Sequence, residues 1–358
     1  MTTSRVASGP DARTPIEAGG GRRDDVRLLV VTTGAGGPVL RHHRLPALPS
    51  VLRAGDLVVV NTSATLPAAV DGAALGSVPV TVHAMASPGG RREWVVELRR
   101  PDRSGPVLTA AVGDVVELPG EVSLRLTAPF PAGQSARGAR LWRAAAAVEG
   151  GLEGYLRRYG QPIAYSHVEG SWPLSAYQTV FATAPGPDAD PDAPVGSAEM
   201  PSAARPLTAE VVTSLVAAGI TIAPVVLHTG FSSPEAAEPP APEWYRVPAQ
   251  TARLVELTRA SGGRVVAVGT TVTRALESAA LPAGRVVPGE GWTDLVLGPS
   301  RPARVVSGLL TGWHEPQASH LLLLQAIAGP DAVSAAYAEA ARCGYRWHEF
   351  GDSCLLLP

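Results

Sequence analysis

Arg264-Val-Val-Ala-Val-Gly-Thr-Thr-Val-Thr-Arg-Ala-Leu-Glu-Ser-Ala-Ala280 is the stretch on which the reading of this chain turns. Val265 to Val268 is a short β-branched run and predicts a buried strand. Gly269 breaks the run. Thr270 and Thr271 then offer hydroxyls that can cap a following helix. Val272, Leu276 and Ala279 recur at helical spacing, so one face of that helix packs inward. Arg274 and Glu277 stand three residues apart on a neighbouring face, at ion-pair spacing. The turn lies at the carboxyl end of a strand, where open α/β sheets bind ligands. The free N–H groups of a helix start favour an anionic group there. The plainer reading is a scaffold strand–turn–helix with a surface ion pair.

Working outward, the same alternation continues. Arg53 to Thr62 predicts a buried strand ending at Asn61, the one asparagine of the chain. A helix capped by Thr208 leads through Gly219 to a strand that ends in His228-Thr229-Gly230. Thr251 to Ser261 is an amphipathic helix. Val305 to His314 predicts a strand ending in Thr311-Gly-Trp-His314, and helices follow over 319–328 and 331–343. Strands and helices in this order predict a doubly wound α/β domain. From Leu66 to Pro131 the pattern changes to short alternating segments, 78–83, 93–98, 107–111, 114–118 and 122–126, punctuated by Gly, Pro and Asp. That pattern predicts an inserted all-β, barrel-like domain. The expected divisions are a disordered leader over 1–23, an α/β domain over 24–65 and 140–358, and the β domain over 66–139. Residues 141–159 read as helical in places, and 184–194 as a mobile acidic loop.

Composition narrows the chemistry. The 358 residues are 45% apolar and 17% charged, enough for a substantial core. There is no lysine, which excludes a Walker A phosphate loop and Schiff-base or pyridoxal-phosphate chemistry. The net charge of −2 gives no global field for nucleic acid. Cys343 and Cys354 have no paired spacing and suit a reducing compartment. Met1 to Gly21 has no apolar signal core, and no apolar run reaches the length of a membrane span, so a cytoplasmic protein without a membrane partner is expected. No metal-binding motif and no resident cofactor are expected.

Three strands carry a polar group just past their apolar run: His228, Thr270 with Thr271, and His314. Side by side in one sheet they would face a shared cleft, with Arg274, Glu277, Glu315 and Tyr177 near it. Tyr165 to Thr183, dense in aromatic and hydroxyl groups, reads as a binding wall. Proton transfer and anion binding are the chemistry this set supports. The residues by themselves name no substrate.

The chain also resembles the S-adenosylmethionine:tRNA ribosyltransferase-isomerase family of queuosine biosynthesis. The resemblance rests on Val266 to Ser278, Tyr177-Gln-Thr-Val-Phe-Ala182, Glu243-Trp-Tyr-Arg-Val247, Thr293-Asp294, Thr311 to His314 and Tyr345 to Asp352. Gly55 to Asn61 with Leu66-Pro67-Ala68 and Gly72 carries it into the N-terminal part. It implies an α/β domain with an inserted barrel, and S-adenosylmethionine as a ribosyl donor and co-substrate. The acceptor it implies is the aminomethyl group of 7-aminomethyl-7-deazaguanine in tRNA, with epoxyqueuosine formed and adenine and methionine released. A base must remove a proton next to the sulfonium. The resemblance points to His228, His314, Glu277 and Arg274 as catalytic groups. It points to Asn61, Tyr177, Gln178, Thr179, Gly269, Thr270, Thr271, Trp313 and Tyr245 as substrate contacts. Some family residues are replaced: Ala64 and Ala69 stand where the family has arginines, and Glu199 to Leu207 lacks the family's histidine. The replacements keep two other readings open. One is a divergent paralogue acting on a small molecule with S-adenosylmethionine or a nucleoside. The other is a non-catalytic binding protein.

Overall fold

The computed structural model describes residues 9–34, 36–90, 92–133, 135–148, 150–183, 193–231, 240–315 and 320–357. In chain order the strands are β1 (Arg27–Gly34), β2 (Gly37–Arg44), β3 (Leu57–Asn61), β4 (Ala69–Leu75), β5 (Val78–Ala86), β6 (Glu93–Arg99), β7 (Val115–Leu118), β8 (Val122–Phe130), β9 (Leu141–Ala145), β10 (Thr221–Leu227), β11 (Glu243–Val247), β12 (Val265–Val268), β13 (Gly289–Thr293), β14 (Gly308–Gly312) and β15 (Ser353–Leu357). The helices are α1 (Leu48–Val51), α2 (Gly151–Tyr159), α3 (Ala209–Ala217), α4 (Ala249–Ala260), α5 (Thr270–Ser278), α6 (His320–Ala328) and α7 (Pro330–Arg342).

Apolar runs such as Leu57 to Val60 form strands buried on both faces, because alternate side chains enter two different cores. Leu29, Val31, Leu57, Val59, Val265 and Ala267 face a core built with α4, α5, α6 and α7. Leu28, Val30, Val58, Val60, Val266 and Val268 face the opposite core, with Leu48 of α1 and Val211 and Leu215 of α3. The sheet order is β13-β11-β10-β3-β12-β14-β15-β1-β2. The centre, β10-β3-β12-β14, is parallel. The β10–β11, β11–β13, β14–β15 and β1–β2 pairs are antiparallel. The sheet is therefore mixed, with helices on both faces. Carboxyl ends of β10, β12 and β14 share one edge, as the sequence predicts.

After β3 the chain leaves this sheet and closes a six-strand antiparallel barrel in the order β4-β5-β6-β9-β8-β7. Trp94, Trp142, Val96, Leu124 and Leu126 fill it. Two local expectations fail. Residues 107–111 form no strand, having only an isolated bridge between Arg99 and Pro106 nearby. Residues 141–145, expected to be helical, form β9, because Leu141 and Trp142 supply the barrel wall and its core. The expected acidic loop lies outside the described residues over 184–192.

The leader is ordered from residue 9 onward, against expectation, and residues 1–8 lie outside the described part. Ala12 N–H donates to Trp347 O at 3.1 Å, and Trp347 N–H donates to Pro10 O at 3.0 Å. Glu17 accepts from the Arg205 guanidinium at 2.8 and 2.9 Å and from Arg23 at 2.8 Å. Arg205 is 2% exposed and lies 4.7 Å from the Phe350 ring centroid. Low hydrophobicity misjudges this segment because its order comes from tertiary partners that sit far along the chain. No single helix among the described residues is long and apolar enough to cross a membrane; α6 and α7 are so only together, and they meet at 118°.

Burial pushes the Glu17 carboxyl up, but its backbone hydrogen bond and Arg205 and Arg23 outweigh it and hold the pKa below the ordinary value. The stability it contributes is therefore present above the unfolded glutamate pKa and lost as pH falls through the lowered folded value. Glu17→Gln should lower the melting temperature at pH 7, where it leaves a buried guanidinium without its carboxylate. The difference from wild type should shrink as pH falls below the unfolded glutamate pKa, as followed by circular dichroism melts from pH 7 downward.

Candidate active site

A cleft of about 700 Å³ opens between the barrel mouth and the carboxyl edge of the sheet. Its floor is Gly269 to Thr271 at the end of β12 and Thr311 to His314 at the end of β14. Glu97, Arg99 and Arg140 of the barrel form one wall, and Glu199 to Ala203 another. Tyr165, His167, His348 and Glu349 stand at the rim. Of the residues expected from sequence, the fold brings Gly269, Thr270, Thr271, Arg274, Tyr177, Trp313 and His314 together here. His228, Glu277, Asn61, Gln178, Thr179 and Tyr245 are not among the cleft-lining residues.

The turn after β12 is built by glycine. Gly269 has φ +92°, a left-handed value that favours glycine, and an added Cβ would come within 3.3 Å of Ala203 Cβ. The expected threonine cap is not made, since Gly269 itself is the N-cap and no side chain caps the helix start. Thr271 Oγ1 accepts instead from Asn61 Nδ2 at 3.4 Å, and Thr273 Oγ1 donates to Gly269 O at 3.3 Å. The first turn of α5 thus presents backbone N–H groups at the cleft floor, an anion-binding arrangement.

The predicted Arg274–Glu277 pair does not form. Arg274 is 6% exposed and its Nη1 donates to the Glu243 carboxylate of β11. Its Nε and Nη2 donate to the carbonyls of Leu295 and Thr293 at 3.2 and 3.0 Å. Burial raises the Glu243 pKa, against the pull of Arg274 and of the Gly230 N–H. Glu277 points the other way and accepts the N–H groups of Arg304, Val305 and Val306 at 2.9 to 3.0 Å. Spacing along a helix shows which side chains can meet, not what each finds across the helix face.

Asn61 is a clamp. Its Oδ1 accepts from Leu227 and Ser63 N–H at 3.1 and 3.0 Å, and its Nδ2 donates to Leu227 O at 2.8 Å. His228 is turned away from the cleft: Nδ1 bonds Ser63 Oγ at 2.7 Å, Nε2 bonds Pro194 O at 2.8 Å, and the ring stacks on Trp244. Burial lowers its pKa to about 4. Gln178 pairs with the backbone of Thr65 through both ends of its amide. Thr179 is buried and Tyr245 is half-buried in the sheet between β10 and β13.

Around the expected His314 and Trp313 the cleft also holds groups that the sequence reading did not single out, among them His320, His348, Glu349, Thr229 and Glu199. His314 and His320 stack in parallel, 4.4 Å apart, with Thr311 Oγ1 3.2 Å from His314 Nε2. Burial, then His320 and His348, holds His314 well below the ordinary histidine pKa, and burial with Arg274 lowers His320 to about 4. Both imidazoles are neutral at pH 7. At the rim His167 stacks on His348, 4.1 Å between centroids. Burial pulls His167 down, but the Glu349 bond outweighs it and the net shift is upward; His348 is lowered by burial and by His167. Thr229 Oγ1 and Trp313 Nε1 are buried, line the cleft and lack a hydrogen-bond partner among the described residues. Tyr165 donates to Glu199, and burial and that carboxylate raise its pKa well above the ordinary value. Glu243, His348 and Glu349 stand inside blocks that carry the family resemblance, so a signal for them existed; His320 follows no motif.

The model of the queuosine biosynthesis protein family matches residues 7–356. A protein of Gloeobacter violaceus named S-adenosylmethionine:tRNA ribosyltransferase-isomerase is 34% identical over 344 residues, covering 94% of this chain and 90% of its own. One of the same name from Symbiobacterium thermophilum is 35% identical over 361 residues, 97% and 96% of the two chains. The crystal structure of S-adenosylmethionine tRNA ribosyltransferase from Thermotoga maritima is 26% identical, with a TM-score of 0.51 over 98% of this chain and 99% of that one.

Arg274→Ala removes one partner of a buried pair and frees two carbonyls. It should cost about 3–5 kcal/mol of stability in chemical denaturation. A near-neutral result would mean that the guanidinium is not the anchor of the cleft floor.

Proposed function

The chain belongs to the queuosine biosynthesis protein family, and on that premise we propose that it is an S-adenosylmethionine:tRNA ribosyltransferase-isomerase. The observation that carries the proposal is the match of family and named relatives over almost the whole chain, barrel and sheet alike. In this reading the ribosyl unit of S-adenosylmethionine passes to the aminomethyl group of 7-aminomethyl-7-deazaguanine in tRNA and rearranges, and adenine and methionine leave. A cleft of about 700 Å³ suits a nucleoside-sized co-substrate with room for an incoming base. No observation favours the small-molecule or the non-catalytic alternative. A tRNA substrate supports a cytoplasmic location.

Roles follow from position. The uncapped start of α5 receives the carboxylate of the methionine moiety. Thr229 Oγ1 and Trp313 Nε1 supply polar contacts that a ligand completes. His314 is the base assigned to the proton next to the sulfonium. Its imidazole is neutral at pH 7 and reaches the cleft, and Thr311 fixes the ring. Arg274 acts as a positioning residue, since the guanidinium is committed to Glu243 and two carbonyls. His228, Glu277 and Asn61 carry no catalytic role here because their polar atoms are spent on the scaffold.

The test is adenine release from S-adenosylmethionine with tRNA bearing the aminomethyl base. Adenine should appear with that tRNA and not with unmodified tRNA. S-adenosylmethionine binding by calorimetry without adenine would refute the reaction. His314→Ala should lower the rate by about 10²-fold or more with little change in S-adenosylmethionine affinity. A base works only when neutral, and the lowered pKa keeps His314 neutral below 6.5. The wild-type rate should therefore hold from pH 8 to 6, and a fall centred near 6.5 would contradict the assignment.

A further inference from the structure

At the rim of the cleft, four segments far apart in sequence bring metal-ligating groups to one point. His167 Nε2 lies 2.8 Å from Glu349 Oε2. His348 Nε2 lies 3.1 Å from Asp11 Oδ1 and 3.5 Å from Glu315 Oε1. The donor atoms of His167, His348 and Glu349 all fall within 4.8 Å of one another. Their side chains are 16 to 18% exposed, which leaves access from the cleft while excluding most water. Two donors bound to one zinc-class ion at about 2.1 Å stand roughly 3 Å apart; the His167–Glu349 pair already has that spacing, and the stacked His348 ring reaches the same ion by a side-chain rotation within the 4.8 Å cluster.

Charge points the same way. Asp11, Glu315 and Glu349 put three carboxylates against two imidazoles. Even with both rings protonated, the carboxylates outnumber the positive charges. Two imidazolium rings stacked 4.1 Å apart would also repel each other. One dication supplies the missing charge and lets both rings stay neutral. Imidazole donors mixed with carboxylate select a transition metal over magnesium or calcium.

We propose that His167, His348 and Glu349 bind a divalent transition-metal ion of the zinc class, with Asp11 or Glu315 completing the set and one position open to the cleft. The ion ties the loop at His167 to the turn before β15, and through Asp11, where that carboxylate completes the set, to the N-terminal segment. It lies in the same cleft as Gly269 to Thr271 and His314, and His348 is close enough to act on the His314 charge.

The full chain is stripped with chelator, titrated with zinc and, separately, with cobalt, and passed through gel filtration. One equivalent should be retained, with visible cobalt absorption bands. The melting temperature should rise by roughly 5 °C at zinc about 100 times its dissociation constant. His167→Ala/His348→Ala should abolish retention, absorption and the thermal shift. Glu349→Gln, the milder variant, should weaken zinc by roughly ten-fold or more. A second cluster, His42, Glu339 and Cys343, serves as control, and His42→Ala should change none of these readings. Failure to retain zinc, retention that survives the double substitution, or retention lost in His42→Ala would each overturn the proposal. All three readouts are independent of ribosyl transfer.

Discussion

The contact on which the cleft depends is the buried ion pair between Arg274 and Glu243. Arg274 stands in the second turn of α5, directly after the Gly269 turn. Its guanidinium reaches β11 through Glu243 and the segment after β13 through the carbonyls of Thr293 and Leu295. Glu243 in turn accepts the Gly230 N–H at 2.7 Å, which fixes the chain just past β10. One charged group thus holds the ends of three strands and the start of a helix in a single arrangement. Such a pair adds little net stability after desolvation, but breaking it strands a charge in the interior. Its value is positional: the floor of the cleft is in place before a ligand arrives.

The barrel side is organised by the same economy of charge. Glu97 is 1% exposed and accepts from Arg99 and Arg140 at 3.1 and 3.0 Å. His83 beside it is held down to about 3 by burial and by Arg99 and Arg103, so it stays neutral. Arg99 also lies 5.1 Å from the Tyr165 ring, and Tyr165 donates to Glu199. A chain of paired charges and hydrogen bonds therefore runs from the barrel mouth to Glu199, at the start of the wall whose Ala203 abuts the Gly269 turn. Preorganised dipoles of this kind stabilise developing charge without reorganising during reaction.

Buried strands were legible in sequence because two-faced burial demands continuous apolar runs, as at Leu57 to Val60 and Val265 to Val268. The barrel was legible from alternation, and the ligand edge from polar residues that end apolar strands. What stayed hidden depends on contacts between distant segments. β9 reads as helical because Leu141 to Ala145 shows no clear alternation, yet its place between β6 and β8 decides the matter. His228 ends its strand as expected, but Ser63, Pro194 and Trp244 turn its ring away. Arg274 finds Glu243 rather than the nearer Glu277, because α5 packs that face against β11. His320 and His348 enter the cleft only through the packing of α6 and of the turn before β15.

The central claim is that the ligand binds between the barrel mouth and the carboxyl edge of β12 and β14. Hydrogen–deuterium exchange of the full chain with and without S-adenosylmethionine tests it directly. The account predicts added protection of amides over 269–275, 311–315 and 199–203, and no change around His228 or over 304–306. Protection confined to the His228–Ser63–Trp244 side, with the Gly269 turn unaffected, would contradict it.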